Sequence, residues 1–158
     1  PLGKEWLKKI NELGMIVDLA HASAQVIDDV LTLSSRAPLV SHTGVKGVCD
    51  NNRNISDEQI KRIAAKGGLI GIGFWRAATC GDRVEDIVKS LLYVRDLVGV
   101  QHVALGSDWD GYVSTPIDVS QVGVLTAQLV KAGVSQKEVA QIMGGNVIEF
   151  LLKNLPEN

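Results

Sequence analysis

A short apolar run that ends in a histidine occupies residues 14–21, Gly-Met-Ile-Val-Asp-Leu-Ala-His. Residues 38–42, Pro-Leu-Val-Ser-His, repeat this pattern further along the chain. Two more apolar runs cover residues 69–74 and 102–107, and the second of these is followed at once by Asp108. Short, nearly continuous apolar runs bounded by polar residues are typical of buried parallel strands. The sequence therefore predicts four such strands.

Amphipathic patterns predict helices between and after these strands. One helix begins at Ser56, where Gln59 three residues later completes a capping box, and it ends at Gly67-Gly68. Asp82 with Glu85 fits a cap at the start of the next helix. Besides the helix that begins at Ser56, the predicted helices cover residues 4–13, 22–33, 82–98, 120–132, 135–143 and 146–153.

The alternation of strands and helices predicts a parallel α/β arrangement. Successive strand ends are 21, 32 and 34 residues apart, near the ~30 residues of a βαβ unit. Two folds share this pattern. A doubly wound sheet would be complete at this length, whereas a (β/α)8 barrel needs ~250 residues and would be about half present. The pattern alone does not separate them.

Composition limits the classes of partner. Basic and acidic residues number 16 and 18, for a net charge of −2, and 46% of the residues are hydrophobic, as is typical of soluble globular proteins. No basic excess favours nucleic acid, and no apolar stretch reaches the ~20 residues of a membrane span. The first residues show no signal pattern, and a targeting segment upstream of Pro1 would not be visible here; the location stays open, with the cytoplasm favoured. Cys49 and Cys80 are expected to be reduced thiols.

Three of the four strands end in side chains suited to metal or acid–base chemistry, namely His21, His42 and Asp108. Sites in α/β folds are built at the carboxyl ends of strands, and neighbouring strands lie ~4.8 Å apart. Two neutral imidazoles there can share a divalent ion such as zinc, although each histidine alone could be an ordinary loop residue. A carboxylate facing them is suited to general acid/base work. Asp18 is explained at least as well as a buried structural carboxylate.

Other motifs are weaker or absent. Arg53, in the loop after the second strand, is either suited to gripping a carboxylate or simply solvated. The segment 106–111, Gly-Ser-Asp-Trp-Asp-Gly, departs from a calcium-binding loop, and Asp110 is expected to shape the turn. Gly71-x-Gly73 lacks the third glycine of a dinucleotide fingerprint, and neither a Walker motif nor a Gly-x-Ser-x-Gly elbow is present.

Five motifs, in order along the chain, resemble the renal-type (membrane) dipeptidases of the metal-dependent amidohydrolase superfamily. They are residues 14–21 (family pattern GmlvDlSH), 38–43 (PvifSHs), 52–57 (RNlsD), 106–111 (GsDFDG) and 144–147 (GgN).

The resemblance implies a (β/α)8 barrel that cleaves dipeptides with two zinc ions. By motif, His21 and His42 would be ligands of one zinc ion. Asp108 would be the acid/base for the nucleophilic water and the leaving amine. Arg53 would bind the carboxylate of the substrate. The family's early His-x-Asp motif, bridging glutamate and a further histidine belong to an N-terminal half that these residues do not match. We therefore expect the C-terminal half of such a barrel, about four parallel strands plus terminal helices in a single partial domain over residues 1–158.

Three functions remain as alternatives. The first is zinc-dependent hydrolysis of dipeptides by the complete enzyme, with these residues alone inactive and no nucleic-acid partner. The second is a non-catalytic half-barrel that pairs with itself or with a separate N-terminal half. The third is an amidohydrolase that acts on another small amide, such as an N-acyl amino acid.

Overall fold

Three parallel strands form the sheet of the computed structural model, which describes residues 2–156. They are β1 (Leu39–Thr43), β2 (Leu69–Ile72) and β3 (Val103–Leu105), hydrogen-bonded in the order β1-β2-β3. Both pairings are parallel. The predicted parallel α/β arrangement is therefore confirmed. Among the described strands the order does not reverse, as it would at the switch point of a doubly wound sheet.

The strand predicted over residues 14–21 is reduced to a single parallel bridge between Asp18 and Leu39. Leu39 donates its N–H to the carbonyl of Val17 (2.9 Å), and Leu19 donates to the carbonyl of Leu39 (2.8 Å). The next N–H on this edge of β1, that of Ser41, donates to the Asp18 carboxylate (2.9 Å). A side chain thus takes the place of the next backbone acceptor, so the ladder stops after two bonds and the prediction of a full strand is wrong.

Eight α-helices of the described chain pack around this sheet. The predicted capping boxes at Ser56 and Ser135 are confirmed, with Gln59 and Glu138 as their third helical residues. The cap predicted at Asp82 is wrong, because the Asp82 carboxylate pairs with Arg76 and the helix begins after Arg83. The helices are α1 (Leu2–Glu12), α2 (Ala24–Leu33), α3 (Asp57–Ala65), α4 (Arg76–Thr79), α5 (Val84–Val98), α6 (Val122–Lys131), α7 (Gln136–Ala140) and α8 (Asn146–Asn154).

Hydrophobic clusters cover both faces of the sheet. The larger cluster joins one face to buried side chains of α2, α3, α5 and α6. The smaller cluster joins Leu69 and Ala104 to Phe150 of α8. Strands buried on both faces need apolar residues at every position, which is why the sequence shows apolar runs rather than alternation. The strand residues in the larger cluster are Val40, Ile70, Ile72 and Val103.

Helix α8 packs at the amino ends of the strands. The side-chain amide of Asn146 donates to the carbonyl of Val103 (2.8 Å). Arg36, shortly before β1, donates to the carbonyls of Gly14 and Asn154. These contacts are structural, and they leave the carboxyl ends of the strands open for a site. Within residues 2–156 no helix is both long enough and apolar enough to cross a membrane.

Replacing Gly71 with alanine tests the close packing inside the sheet. A Cβ at Gly71 would lie 2.2 Å from the backbone oxygen of Ser41 on the neighbouring strand. Because backbone in a sheet cannot yield as a flexible side chain does, we expect Gly71→Ala to lower the free energy of unfolding by ~2 kcal/mol or more. Urea denaturation measures the change.

Gly123→Ala is the matched control for this prediction. Gly123 lies in α6 with nothing within 4 Å of its Cβ position. Alanine there should raise the free energy of unfolding by about 0.5–1 kcal/mol, because it reduces the backbone entropy lost on folding. Equal midpoints for Gly71→Ala and the parent chain would contradict the packing argument.

Candidate active site

The two strand-end histidines lie side by side. The Nε2 atoms of His21 and His42 are 2.8 Å apart, and the rings meet edge-on with centroids 4.7 Å apart. His21 follows the bridge at Asp18, and His42 lies in β1. Parallel pairing of the two segments therefore brings both imidazoles to the same edge of the sheet.

Asp108 joins the histidine pair from the segment after β3. Its Oδ1 lies 3.7 Å from Nε2 of His42. Asp108 and His21 both have left-handed backbone, with φ of 62° and 61°. This conformation costs a non-glycine residue about 1–2 kcal/mol, and such strain clusters at functional sites. The structure thus brings together the three residues singled out at the strand ends, two of them on strained backbone.

Ser41 and Asp18 fix the orientation of this edge. The Ser41 hydroxyl lies 2.9 Å from Nδ1 of His42, which leaves Nε2 directed at His21. The Asp18 carboxylate accepts from the N–H groups of Ala20 (3.0 Å) and Ser41 (2.9 Å). These bonds support a structural role for Asp18, but the prediction that it is buried is wrong, because its side chain is exposed. Sequence reasoning missed Ser41, although a hydroxyl next to a strand-end histidine was the available signal.

Arg53 reaches the same edge from the loop after β1. Its Nη2 donates to the carbonyl of His42 (3.1 Å), and its guanidinium lies 5.1 Å from the centroid of the Trp75 ring. Burial lowers the pKa of Arg53, and the carboxylates of Asp108 and Asp18 partly offset this effect. Sequence reasoning missed Trp75, which directly follows the third apolar run. Its indole also meets the His42 ring edge-on at 5.9 Å.

A disulfide joins the loops that follow β1 and β2. Cys49 and Cys80 are bonded, with their Cα atoms 5.2 Å apart, so the prediction of two reduced thiols is wrong. The two cysteines are 31 residues apart in the chain, and that spacing gave no sign of the pairing. The loops meet because β1 and β2 are neighbours in the sheet. Asn51 and Asn54 add hydrogen bonds to the carbonyl of Ala77.

The His42 imidazole is tuned towards its neutral form. Burial has the largest effect and lowers the pKa of His42. Asp108 partly raises this pKa, while Arg53 and His21 lower it further. The neutral form of imidazole is the one that ligates metals.

The histidine pair fits part of a zinc site. Imidazole nitrogens bind zinc at ~2.0–2.1 Å, which sets two of them ~3.3 Å apart around one tetrahedral ion, close to the 2.8 Å between His21 and His42. Residues 2–156 contain no group of three or more His, Cys, Asp or Glu side chains arranged to hold a metal. Because catalytic zinc takes about three protein ligands, the pair fits as a share of a ligand set.

A parallel sheet with paired imidazoles at its carboxyl edge is an arrangement on which α/β enzymes build metal-assisted sites. The chain belongs to the membrane dipeptidase family, peptidase family M19, whose family model matches residues 1–154. The predicted family resemblance is therefore confirmed.

Curated relatives carry dipeptidase names. The chain is 34% identical over 158 residues to dipeptidase tcpJ of Claviceps purpurea (strain 20.1), covering 96% of this chain and 37% of the relative. It is 31% identical over 156 residues to an uncharacterized dipeptidase of Schizosaccharomyces pombe, covering 94% and 38%. The chain thus spans less than two fifths of these relatives' length.

Solved structures of metallopeptidases share the fold. A crystal structure of the dipeptidase AC, a metallopeptidase of family M19, has a TM-score of 0.90 at 25% identity and covers 96% of this chain and 48% of that one. A metallopeptidase from Rhodobacter sphaeroides, liganded with a phosphinate mimic of the dipeptide L-Ala-D-Ala, also has a TM-score of 0.90 at 25% identity, with 96% and 46% covered.

The lowered pKa of His42 predicts a pH-dependent stability. The unfolded chain takes up a proton near pH 6.5, the ordinary value, whereas the folded chain takes it up only at lower pH. Stability from this group is therefore full above pH 6.5 and is lost as the pH falls through the folded value. In metal-free buffer, the urea midpoint should drop between pH 7.5 and 5.5 by less in His42→Gln than in the parent chain.

The third histidine supplies the control for the pH experiment. His102 bonds the carbonyl of Gly68 through Nδ1, away from the histidine pair. His102→Gln should leave the contribution of His42 to the pH dependence in place. If the urea midpoints of the parent chain and of His42→Gln depend on pH in the same way, the lowered pKa of His42 is not a source of the pH-dependent stability.

Proposed function

We propose that this chain forms part of a zinc-dependent dipeptidase and contributes one side of its active site. The observation that carries the proposal is the convergence of His21, His42 and Asp108 at one edge of the sheet, with 2.8 Å between the histidine Nε2 atoms and 3.7 Å from Asp108 to His42. Arg53, bonded to the carbonyl of His42, adds a cationic group beside them.

His21 and His42 would hold one zinc ion through their Nε2 atoms. When bound, zinc lowers the pKa of a coordinated water and so supplies a nucleophile at neutral pH. The residues of this chain contribute orientation: the Ser41 hydroxyl lies on Nδ1 of His42, and an outer-shell partner of this kind fixes the ring's tautomer. The low pKa of His42 keeps its imidazole available as a ligand near pH 7.

Asp108 would be the general acid/base of the reaction. Its carboxylate accepts a proton from the attacking water as the new C–O bond forms, and returns a proton to the amine nitrogen as the peptide C–N bond breaks. The left-handed backbone at Asp108 aims the carboxylate at the histidine pair. This placement lets one carboxylate serve both proton transfers.

Arg53 would bind the C-terminal carboxylate of a dipeptide. A guanidinium can hold a carboxylate with two parallel hydrogen bonds, which gives geometric selection as well as energy. Within the described residues no carboxylate lies within 4.0 Å of the Arg53 side-chain nitrogens, so its charge is not already paired. This arrangement supports a small substrate with a free carboxylate, in the class of the dipeptide L-Ala-D-Ala, whose phosphinate mimic is bound in the metallopeptidase from Rhodobacter sphaeroides.

We propose in addition that the sheet is part of a (β/α)8 barrel and that residues 1–158 form a single partial domain. Two imidazoles are fewer than a catalytic zinc needs, so these residues alone would be inactive. Leu2, Trp6 and Leu13 are each more than half exposed. This apolar surface is suited to packing against the remainder of the barrel or a second copy of the chain.

Zinc binding by the chain tests the ligand assignment. Isothermal titration should detect weak binding to the parent chain that falls as the pH drops and the imidazoles protonate. The double variant His21→Ala/His42→Ala should lose this binding, whereas His102→Ala should keep it because His102 bonds a backbone carbonyl elsewhere. Equal zinc affinity in the double variant and the parent would remove His21 and His42 from the ligand set.

Asp108→Asn in the zinc-loaded full-length protein tests the proton-transfer role. An amide cannot accept and return a proton, so we expect turnover of L-Ala-D-Ala to fall by ~100-fold or more with zinc content unchanged. Asp110→Asn is the matched control, because Asp110 shapes the turn by accepting from the N–H of Tyr112 (2.8 Å), and an amide oxygen can also accept. Full turnover in Asp108→Asn would rule out the assigned role.

A further inference from the structure

Trp75 lies beneath the proposed carboxylate-binding group. Its side chain follows β2 at the start of α4 and is 8% exposed. The Arg53 guanidinium lies 5.1 Å from the centroid of its ring, and the His42 ring meets it edge-on at 5.9 Å. One indole therefore contacts both the proposed substrate-binding cation and a proposed zinc ligand.

We propose that Trp75 is a positioning residue, whose indole holds the Arg53 guanidinium at a fixed place relative to His42 and thereby sets the affinity for the substrate carboxylate. This inference rests on the proposed role of Arg53. The indole of Trp75 would determine where the guanidinium points.

An aromatic face is suited to this task because it attracts a cation without neutralising it. A carboxylate partner would occupy the N–H donors of Arg53 and compete with substrate, whereas the ring of Trp75 contacts the guanidinium through its π-face. Among the described residues the Arg53 side chain makes a single hydrogen bond, from Nη2 to the carbonyl of His42 (3.1 Å). One such bond leaves the guanidinium free to rotate about it, and the cation–π contact with Trp75 provides the second point that holds it in place.

The indole is itself fixed by its surroundings. A Cβ at Gly73 would lie 2.0 Å from Cζ3 of Trp75, so the ring lies directly against the backbone of Gly73. The Cys49–Cys80 disulfide and the bonds of Asn51 and Asn54 to the carbonyl of Ala77 tie the Arg53 loop to the segment that carries Trp75. The ring and the guanidinium therefore belong to two loops that a disulfide and hydrogen bonds hold together near the contact.

The primary experiment measures kcat and KM of the zinc-loaded full-length protein with L-Ala-D-Ala. Trp75→Leu keeps apolar bulk and removes the π-face, and should raise KM by about 3- to 30-fold, the range of a partly buried cation–π contact, with kcat changed less than twofold. Trp75→Phe keeps a ring and should restore most of the affinity. Trp6→Leu is the matched control, since Trp6 lies on α1, the contacts of Arg53 and His42 are with Trp75, and leucine keeps the apolar surface of α1 for packing.

A second measurement is independent of turnover. In the NMR spectrum of the full chain, ring current from Trp75 should shift the Arg53 side-chain protons upfield, and the shift should vanish in Trp75→Leu and persist in Trp75→Phe. D-Alanine carries a free carboxylate, and it should change the chemical shifts of these protons at a lower concentration in the parent chain than in Trp75→Leu. This readout remains valid if the protein does not hydrolyse dipeptides, so failure of the proposed function is distinguishable from failure of the positioning role.

Three results would overturn the proposal. One is a KM in Trp75→Leu equal to that of the parent. Another is a fall in kcat and zinc content with KM unchanged, which would mark a purely structural role. The third is the absence of an upfield shift of the Arg53 protons in the parent chain. If Trp75→Leu does not fold, the parent spectrum and Trp75→Phe still decide the matter.

Discussion

Parallel pairing on the two sides of β1 is the constraint on which the rest of this structure depends. On one side β1 bonds to the segment before His21, and on the other it bonds to β2. Because parallel strands end at the same edge, side chains that are 21 residues apart in the chain come within hydrogen-bond distance. The Asp18 carboxylate ends the pairing by binding the N–H of Ser41, and this bond fixes where the chain turns towards His21.

The two ends of the sheet have separate tasks. Helix α8 fills the amino end with apolar side chains and with hydrogen bonds from Asn146. The carboxyl end carries the histidine pair, Asp108 and Arg53. This division, in which one end supplies stability and the other chemistry, is general for parallel α/β enzymes, because loops at the carboxyl end can change without disturbing the core.

At the carboxyl edge, the positive charge of Arg53 forms no salt bridge with a carboxylate of the described residues. Burial lowers the pKa of His42 and so favours its neutral form, and the nearby charge of Arg53 adds to this effect. The guanidinium is held by an aromatic ring and one backbone carbonyl rather than by a carboxylate. The edge therefore places a pair of imidazoles beside a guanidinium that forms no salt bridge within residues 2–156.

Several features of this protein could be predicted from the sequence alone. Apolar runs and capping boxes predicted the parallel α/β order and most helices, because these depend on local patterns of burial and hydrogen bonding. Strand-end positions identified His21, His42 and Asp108 as a group, and the resemblance of five motifs to the dipeptidase family added Arg53 to it. The disulfide, the early end of the first strand and the place of Trp75 beneath Arg53 were decided by the tertiary structure. Each depends on which loops become neighbours once the strands pair, and contacts between residues more than twenty positions apart leave no periodic signal in the chain.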